Sequence, residues 1–115
     1  MAQWKEITTV EEWEQALRRS EEQPVLVIKH STRCPVSAEA WEEYREFVSG
    51  KAPEEAEYIM VKVIESREVS NRIAEDLEVQ HKSPQAILFR NRKPVWHTSH
   101  WHIKTAALEE AFQAH

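Results

Sequence analysis

The stretch from Val25 to His30 most constrains the fold, because it forms a continuous, mainly apolar run. Strands covered on both faces have this pattern, and they occur in sheets that carry helices on either side. Tyr58 to Ile64 is a second run of the same kind. The chain is therefore expected to contain a largely parallel sheet, with Val25 to His30 as its central strand.

Amphipathic stretches alternate with these runs. Thr9 and Glu12 have the spacing of a capping box, which marks the start of a helix. A short strand is expected before it, from Trp4 to Ile7. The spacing of apolar residues predicts four helices, from Thr9 to Arg19, from Pro35 to Ser49, from Ser66 to Leu77 and from Thr105 onward.

Two short strand-like runs, from Gln85 to Arg90 and from Pro94 to Thr98, are separated by only three residues. Three residues are too few for a crossover helix, so these strands should pair as an antiparallel hairpin. The predicted order is β-α-β-α-β-α-β-β-α, an α/β fold with a mixed central sheet and helices on both faces. The length of 115 residues and the lack of a linker predict a single domain over residues 1–115.

The only cysteine, Cys34, follows the central strand and precedes the second helix. Unpaired N–H groups and the helix dipole stabilise negative charge at such a position, and Arg33 and Lys29 add positive charge nearby. Pro35 suits the first helical position. These features predict a reactive thiolate, whereas the commonest role of a lone cysteine is that of a small buried residue.

Ser37 stands where a dithiol oxidoreductase carries its second sulfur, so the motif is C-x-x-S. One turn after Cys34, its hydroxyl is expected to donate a weak hydrogen bond to the thiolate. An ordinary first-turn serine is the alternative.

The net charge of −5, with acidic and basic residues intermixed, argues against binding to nucleic acid or to a membrane surface. The N-terminus lacks the apolar segment of a signal peptide, which predicts a cytoplasmic protein. A single cysteine requires a second molecule for any disulfide. His81, His97, His100 and His102 do not have the spacing of a zinc motif, so no metal is predicted.

The order of elements, the cysteine at the second helix and the proline before the hairpin resemble the thioredoxin fold. The segments His30 to Ser37, Ser83 to Ala86 and Ser99 to Trp101 are similar to those of monothiol bacilliredoxins. This resemblance implies a cis peptide bond before Pro84, beside the thiol, and a Ser83 backbone that pairs with an extended substrate. It also implies that His100 and Trp101 border the thiol and shape a small-thiol pocket, although a purely structural Trp101 is equally consistent with the sequence.

The activity implied by the resemblance is removal of bacillithiol from S-bacillithiolated client proteins, with Cys34 taking it up as a mixed disulfide. Bacillithiol is then a co-substrate, no cofactor is bound, and another low-molecular-weight thiol or an external dithiol protein must act as reductant. Arg33, Lys29 or Lys82 would hold the carboxylates of bacillithiol, although lysines more commonly carry solvated surface charges. The residues expected to bind substrate are Thr32, Arg33, Pro35, Ser37, Ser83, Pro84, His100 and Trp101.

Two other functions fit the same residues. A thioredoxin-like domain can bind partners without redox chemistry, with Ser37 marking a lost dithiol. A monothiol, glutaredoxin-like carrier of an iron–sulfur cluster would use Cys34 together with a small thiol. A binding module should have a Cys34 of ordinary reactivity, whereas the enzyme should have a thiolate at neutral pH. An iron–sulfur carrier should be brown, whereas a thiol-transfer enzyme should be colourless.

Overall fold

The computed structural model describes residues 2–115. The chain forms five strands, four α-helices and one short 3₁₀ helix in the predicted order. The strands are β1 (Trp4–Glu6), β2 (Val25–His30), β3 (Glu57–Lys62), β4 (Gln85–Arg90) and β5 (Lys93–Ser99). The helices are α1 (Val10–Arg19), α2 (Pro35–Ser49), α3 (Arg67–Leu77) and α4 (Thr105–Ala114), and the 3₁₀ helix is His100–His102.

The sheet has the strand order β1-β3-β2-β4-β5, which places β2 at its centre. Strands β1, β3 and β2 are parallel, whereas β4 is antiparallel to β2 and β5 is antiparallel to β4. The predicted mixed sheet and the predicted hairpin are therefore confirmed. Because of this topology, β2 and β3 end at the same edge of the sheet at which β4 begins and β5 ends.

Every residue of β2 is buried, because helices cover both faces of the sheet. Val25 and Val27 belong to the core beneath α1 and α3, whereas Leu26 and Ile28 belong to the core beneath α2 and α4. Alternating side chains of one strand thus supply both cores, as expected for an interior strand of an α/β sheet.

Tyr44 anchors α2 to the sheet. Its side chain is fully buried, and its hydroxyl lies 2.8 Å from the carbonyl oxygen of Leu26 and 3.0 Å from that of Ile59. The hydroxyl therefore donates into the region where β2 and β3 pair. The helix that begins beside Cys34 is held by this polar contact as well as by its apolar face.

The structure differs from the sequence prediction in local features: β1 ends one residue before Ile7, and β5 extends one residue beyond each predicted end. Strand β3 ends at Lys62, two residues before Ile64. The hairpin turn is formed by Asn91 and Arg92, which both have positive φ angles, of 50° and 66°. The 3₁₀ helix was not predicted, and its first residue, His100, also has a positive φ, of 56°.

None of the helices within residues 2–115 combines the length and the apolar character needed to cross a membrane.

We predict that Tyr44→Phe lowers the free energy of unfolding by about 1 kcal/mol, because it removes a buried hydrogen bond to the sheet. Urea denaturation measures the difference. The matched control is Tyr58→Phe, whose hydroxyl donates to the carbonyl of Pro53 at 2.7 Å. Pro53 is exposed, so water replaces the lost donor and the loss of stability should be smaller. Equal losses in the two variants would contradict the anchoring role of Tyr44.

Candidate active site

The candidate active site lies at the edge of the sheet where β2 and β3 end. Residues 31–34 follow β2, and Ser83 and Pro84 precede β4, which is the antiparallel neighbour of β2. The 3₁₀ helix follows β5 and packs against α2. The three segments singled out in the sequence thus meet at one edge, which is where ligands bind in α/β sheets.

Cys34 is the N-cap residue of α2, as predicted, and its side chain is partly exposed. Its backbone is extended, with φ −115° and ψ 123°, and its carbonyl accepts the first hydrogen bond of the helix from the Ala38 N–H. Pro35 occupies the first turn, where the missing N–H breaks no hydrogen bond. The thiol is therefore accessible, and it faces the positive end of a fifteen-residue helix.

Thr32 and Arg33 lie in the exposed turn before the thiol. The hydroxyl of Thr32 donates to Oε2 of Glu65 at 3.4 Å, which connects this turn to the loop after β3. The backbone N–H of Cys34 donates to the Ser31 carbonyl at 3.4 Å. Arg33 and Pro35 are exposed beside Cys34, as a role in substrate binding requires.

The hydroxyl of Ser37 has different partners from the one expected. It is fully buried, accepts a hydrogen bond from the Ser31 N–H at 2.8 Å, and lies 2.9 Å from Nδ1 of His30. The expectation that Ser37 donates to the Cys34 thiolate is therefore corrected. The reason is that the chain folds the turn after β2 back over α2, which brings the Ser31 N–H and His30 within reach of this hydroxyl.

His30 is nearly buried, with 7% of its surface exposed. Its ring stacks on that of Trp41, with 5.6 Å between the ring centroids. Burial lowers the pKa of His30 below its ordinary value, and Lys62 lowers it further, whereas Ser37 and Glu65 act in the opposite direction. The imidazole is therefore neutral at neutral pH.

Trp41, on the first half of α2, is partly buried. Trp4 makes an edge contact with it at 4.6 Å, and the guanidinium of Arg45 lies 5.7 Å from its ring centroid. The ring of Trp41 thereby separates His30 from the surface formed by β1 and α2. This aromatic cover explains why His30 is buried although it ends a strand.

Lys29 is fully buried, which corrects both roles considered for it. It neither carries a solvated surface charge nor reaches the carboxylates of a bound small thiol. Its Nζ lies 3.1 Å from Nδ1 of His81, and burial lowers the pKa of the amine from 10.5 to about 8. Burial is the main cause that lowers the pKa of His81, and the positive charges of Lys29 and Arg67 lower it further. Lys82, in contrast, is exposed at the edge.

The peptide bond between Ser83 and Pro84 is cis, which confirms the conformation predicted for it. The carbonyl of Pro84 accepts a hydrogen bond from the His100 N–H at 3.0 Å. His100 also approaches the hydroxyl of Ser99, at 3.0 Å from its Nδ1. Trp101, which is 59% exposed, follows in the same turn. The structure thus joins the proline segment to the His100 segment and presents a large aromatic ring to solvent beside them.

The histidines do not gather into a metal site. Within residues 2–115 there is no group of three or more His, Cys, Asp or Glu side chains that could hold a metal ion. His81 is paired with the amine of Lys29, and His97 lies on β5, apart from the 3₁₀ helix that contains His100 and His102.

Comparison with known protein families assigns the chain that carries this site to a family. Residues 5–108 match the family model of the monothiol bacilliredoxin BrxC. The chain belongs to the monothiol bacilliredoxin family. The matched range includes Cys34, Pro84 and Trp101, so it covers the whole candidate site. Membership of this family supports a thiol redox function.

Solved structures share the fold of this bacilliredoxin. A candidate oxidoreductase with a thioredoxin fold is 31% identical, with a TM-score of 0.83 over 95% of this chain and 93% of that one. Thioredoxin from Malassezia sympodialis is 15% identical, with a TM-score of 0.79 over 100% of this chain and 92% of that one. Reduced thioredoxin from Schistosoma mansoni is 18% identical, with a TM-score of 0.77 over 98% of each chain. The thioredoxin fold is thereby shown.

Two residues at this candidate site are not singled out for a role by the sequence alone. His30 is predicted only as the end of a strand and the start of the segment that resembles bacilliredoxins, and His81 is considered only as a metal ligand. The signal for His30 is a polar residue at the end of a buried strand, seven positions before a serine in the first turn of a helix. A buried histidine needs a hydrogen-bond partner, and Ser37 is the polar side chain that supplies one.

We predict that Lys29→Met stabilises the protein at pH 7, by up to about 3 kcal/mol, because it removes a buried charge whose pKa is lowered on folding. Below pH 8 the amine is protonated in both the folded and the unfolded state, so the cost is fully present. Between pH 8 and pH 10.5 the unfolded state binds more protons, so the stability of the wild type rises relative to the variant. The advantage of Lys29→Met should therefore disappear near pH 11.

Chemical denaturation at pH 7, 9 and 11 measures this difference. Lys82→Met is the matched control, because the amine of Lys82 is exposed, and its stability should follow that of the wild type at every pH. A Lys29→Met protein whose stability differs from the wild type by the same amount at all three pH values would contradict the burial of a charged amine.

Proposed function

We propose that this protein removes bacillithiol from S-bacillithiolated client proteins by a monothiol mechanism. One observation carries the proposal. The only cysteine of a chain in the monothiol bacilliredoxin family is partly exposed at the N-cap of α2, and Ser37 takes the place of a second thiol. Such a chain can accept a small thiol as a mixed disulfide, but it cannot release that thiol by internal attack.

In the first step, the thiolate of Cys34 attacks the bacillithiol sulfur of the client mixed disulfide. The bond between the client sulfur and the bacillithiol sulfur breaks, and a bond between Cys34 Sγ and the bacillithiol sulfur forms. The client cysteine leaves as a thiolate and takes a proton from solvent. No net oxidation occurs, because one disulfide replaces another.

In the second step, the thiolate of another bacillithiol, or of an external dithiol protein, attacks the bacillithiol sulfur of this mixed disulfide. Cys34 leaves as a thiolate, and the oxidised product is bacillithiol disulfide when the attacking thiol is bacillithiol. Bacillithiol is thus a co-substrate, and a separate reductant completes the cycle. We further propose that the protein acts in the cytoplasm, where thiols are kept reduced.

The edge of the sheet around Cys34 offers groups for both substrates. The backbone of Ser83, which precedes the cis bond to the buried Pro84, lies at the start of β4 and is the group we propose to pair with an extended client peptide. Arg33 and Lys82 are exposed cations of the kind that attract the carboxylates of bacillithiol. The exposed ring of Trp101 supplies an apolar surface against which the small thiol can pack.

The proposal is tested by mixing the reduced protein with a client protein carrying bacillithiol on one cysteine and following both by intact mass. We expect the mass of bacillithiol to pass from the client to this protein. The same client carrying glutathione tests the preference for the small thiol, and transfer from it should be slower. Cys34→Ala should retain its fold and transfer nothing. Transfer by Cys34→Ala, or no transfer by the wild type, would refute the mechanism.

We predict that Arg33→Gln reduces the rate of transfer from the bacillithiolated client about threefold, because it removes one exposed charge pair. The reduction should shrink as salt is added, since salt screens exposed charges. Steady-state rates at low and high ionic strength measure it. Arg18→Gln, an exposed arginine on α1, is the matched control and should match the wild type. An Arg33→Gln rate equal to that of the wild type at low salt would rule out a binding role for Arg33.

A further inference from the structure

The segment of residues 80–83, which leads into the cis bond of Pro84, is held by side chains. Among residues 2–115, no backbone hydrogen bond joins this segment to another part of the chain. The side chain of Val79, just before it, is buried in the core beneath α1 and α3. The segment itself is held to the sheet by polar side-chain contacts, at Gln80 and at His81.

Both contacts come from buried side chains of the sheet. Nζ of Lys29 lies 3.1 Å from Nδ1 of His81. Nε2 of Gln85 donates to the carbonyl of Gln80 at 3.0 Å. Lys29 and Gln85 are directly opposite each other in the pairing of β2 with β4, so their side chains project from the same face of the sheet. Two neighbouring side chains thus contact two consecutive residues of the segment.

The direction of the Lys29 contact follows from the charge of the amine. Burial lowers the pKa of Lys29 to about 8, so the amine is mainly protonated at pH 7 and has no lone pair to offer. Nδ1 of His81 must then be the acceptor, with the ring proton on Nε2. Burial, Lys29 and Arg67 at the start of α3 all lower the pKa of His81, so the ring is neutral at pH 7. The contact is therefore a charge-assisted hydrogen bond from β2 to the segment.

We propose that Lys29 is a positioning residue for client binding: its amine holds His81 and thereby sets the backbone of Ser83, two residues further on, for pairing with a client peptide. The inference rests on the proposed function, because it takes Ser83 as the group that pairs with the client. It gives a function to a buried amine whose charge lowers the stability of the protein.

The test compares two disulfides that have the same leaving group. One is a blocked, uncharged pentapeptide whose central cysteine is joined to thiopyridine. The other is a blocked cysteine amide joined to thiopyridine in the same way. Attack of Cys34 on the cysteine sulfur of either probe releases thiopyridone, whose absorbance gives the rate. The ratio of the peptide rate to the amide rate cancels the reactivity of the thiol and reports recognition of the peptide backbone.

We expect the wild type to react faster with the peptide, and Lys29→Met to lower the ratio about fivefold, the effect of one hydrogen bond. Lys29→Met is also expected to be the more stable protein at pH 7, so poor folding cannot cause this loss. His81→Ala should lower the ratio similarly, whereas His81→Asn should retain it, because Oδ1 of asparagine can replace Nδ1 as acceptor. Lys93→Met, at an exposed lysine on the opposite edge of the sheet, is the matched control and should retain the wild-type ratio.

Three results would overturn the proposal. A wild-type ratio of one would show that the segment does not recognise peptide backbone. An unchanged ratio in Lys29→Met would show that the amine does not set the position of the segment. A ratio in His81→Asn as low as that in His81→Ala would show that the acceptor at this position is not what matters.

A measurement on the wild type alone tests the contact itself. Nitrogen-15 NMR of the histidine rings should find His81 protonated on Nε2 and not on Nδ1 at pH 7. A proton on Nδ1 would contradict the proposal, because that nitrogen could then not accept from the amine of Lys29. Neither probe contains bacillithiol, so failure of these experiments leaves bacillithiol transfer untouched, and a lack of bacillithiol transfer leaves the ratio measurable.

Discussion

The complete burial of β2 is the constraint on which the rest of the structure depends. Its alternating side chains fill both cores, so helices must cover both faces of the sheet. The same burial extends to the two polar residues at its end, Lys29 and His30, whose polar atoms need hydrogen-bond partners. Lys29 contacts His81, a residue that is itself exposed, and His30 contacts the buried Ser37.

The site combines an accessible sulfur with a rigid support. Cys34 is partly exposed at the start of a helix that Tyr44 fastens to the sheet, whereas the groups beneath the thiol turn are buried and hydrogen-bonded. Lys29 shows that this support is not optimised for stability alone, because a buried amine without a carboxylate partner among the described residues is costly. The amine of Lys29, which is retained despite this cost, lies on the strand that ends at the edge carrying Cys34.

Much of the fold could be predicted from the sequence, because hydrophobic periodicity reports burial directly. The central position of Val25 to His30, the capping box at Thr9 and the antiparallel hairpin are confirmed. The partners of Lys29 and Ser37 could not be predicted, because they lie on segments whose approach depends on tertiary packing. A lysine at the end of a strand reads as a surface charge, and only the course of the chain around His81 shows that it is covered. The turn at His100 could not be predicted for a similar reason, since a positive φ at a residue other than glycine has no distinctive sequence signal.

The central claim is that a single sulfur both accepts the small thiol and retains it until a second molecule removes it. A single-turnover experiment tests this most directly, with excess client, limiting protein and no reductant, counting the client thiols released. We expect one thiol released per protein, then no further reaction until bacillithiol is added. Continued release without added reductant would contradict the claim, because the chain would then regenerate Cys34 by a route that a single cysteine does not provide.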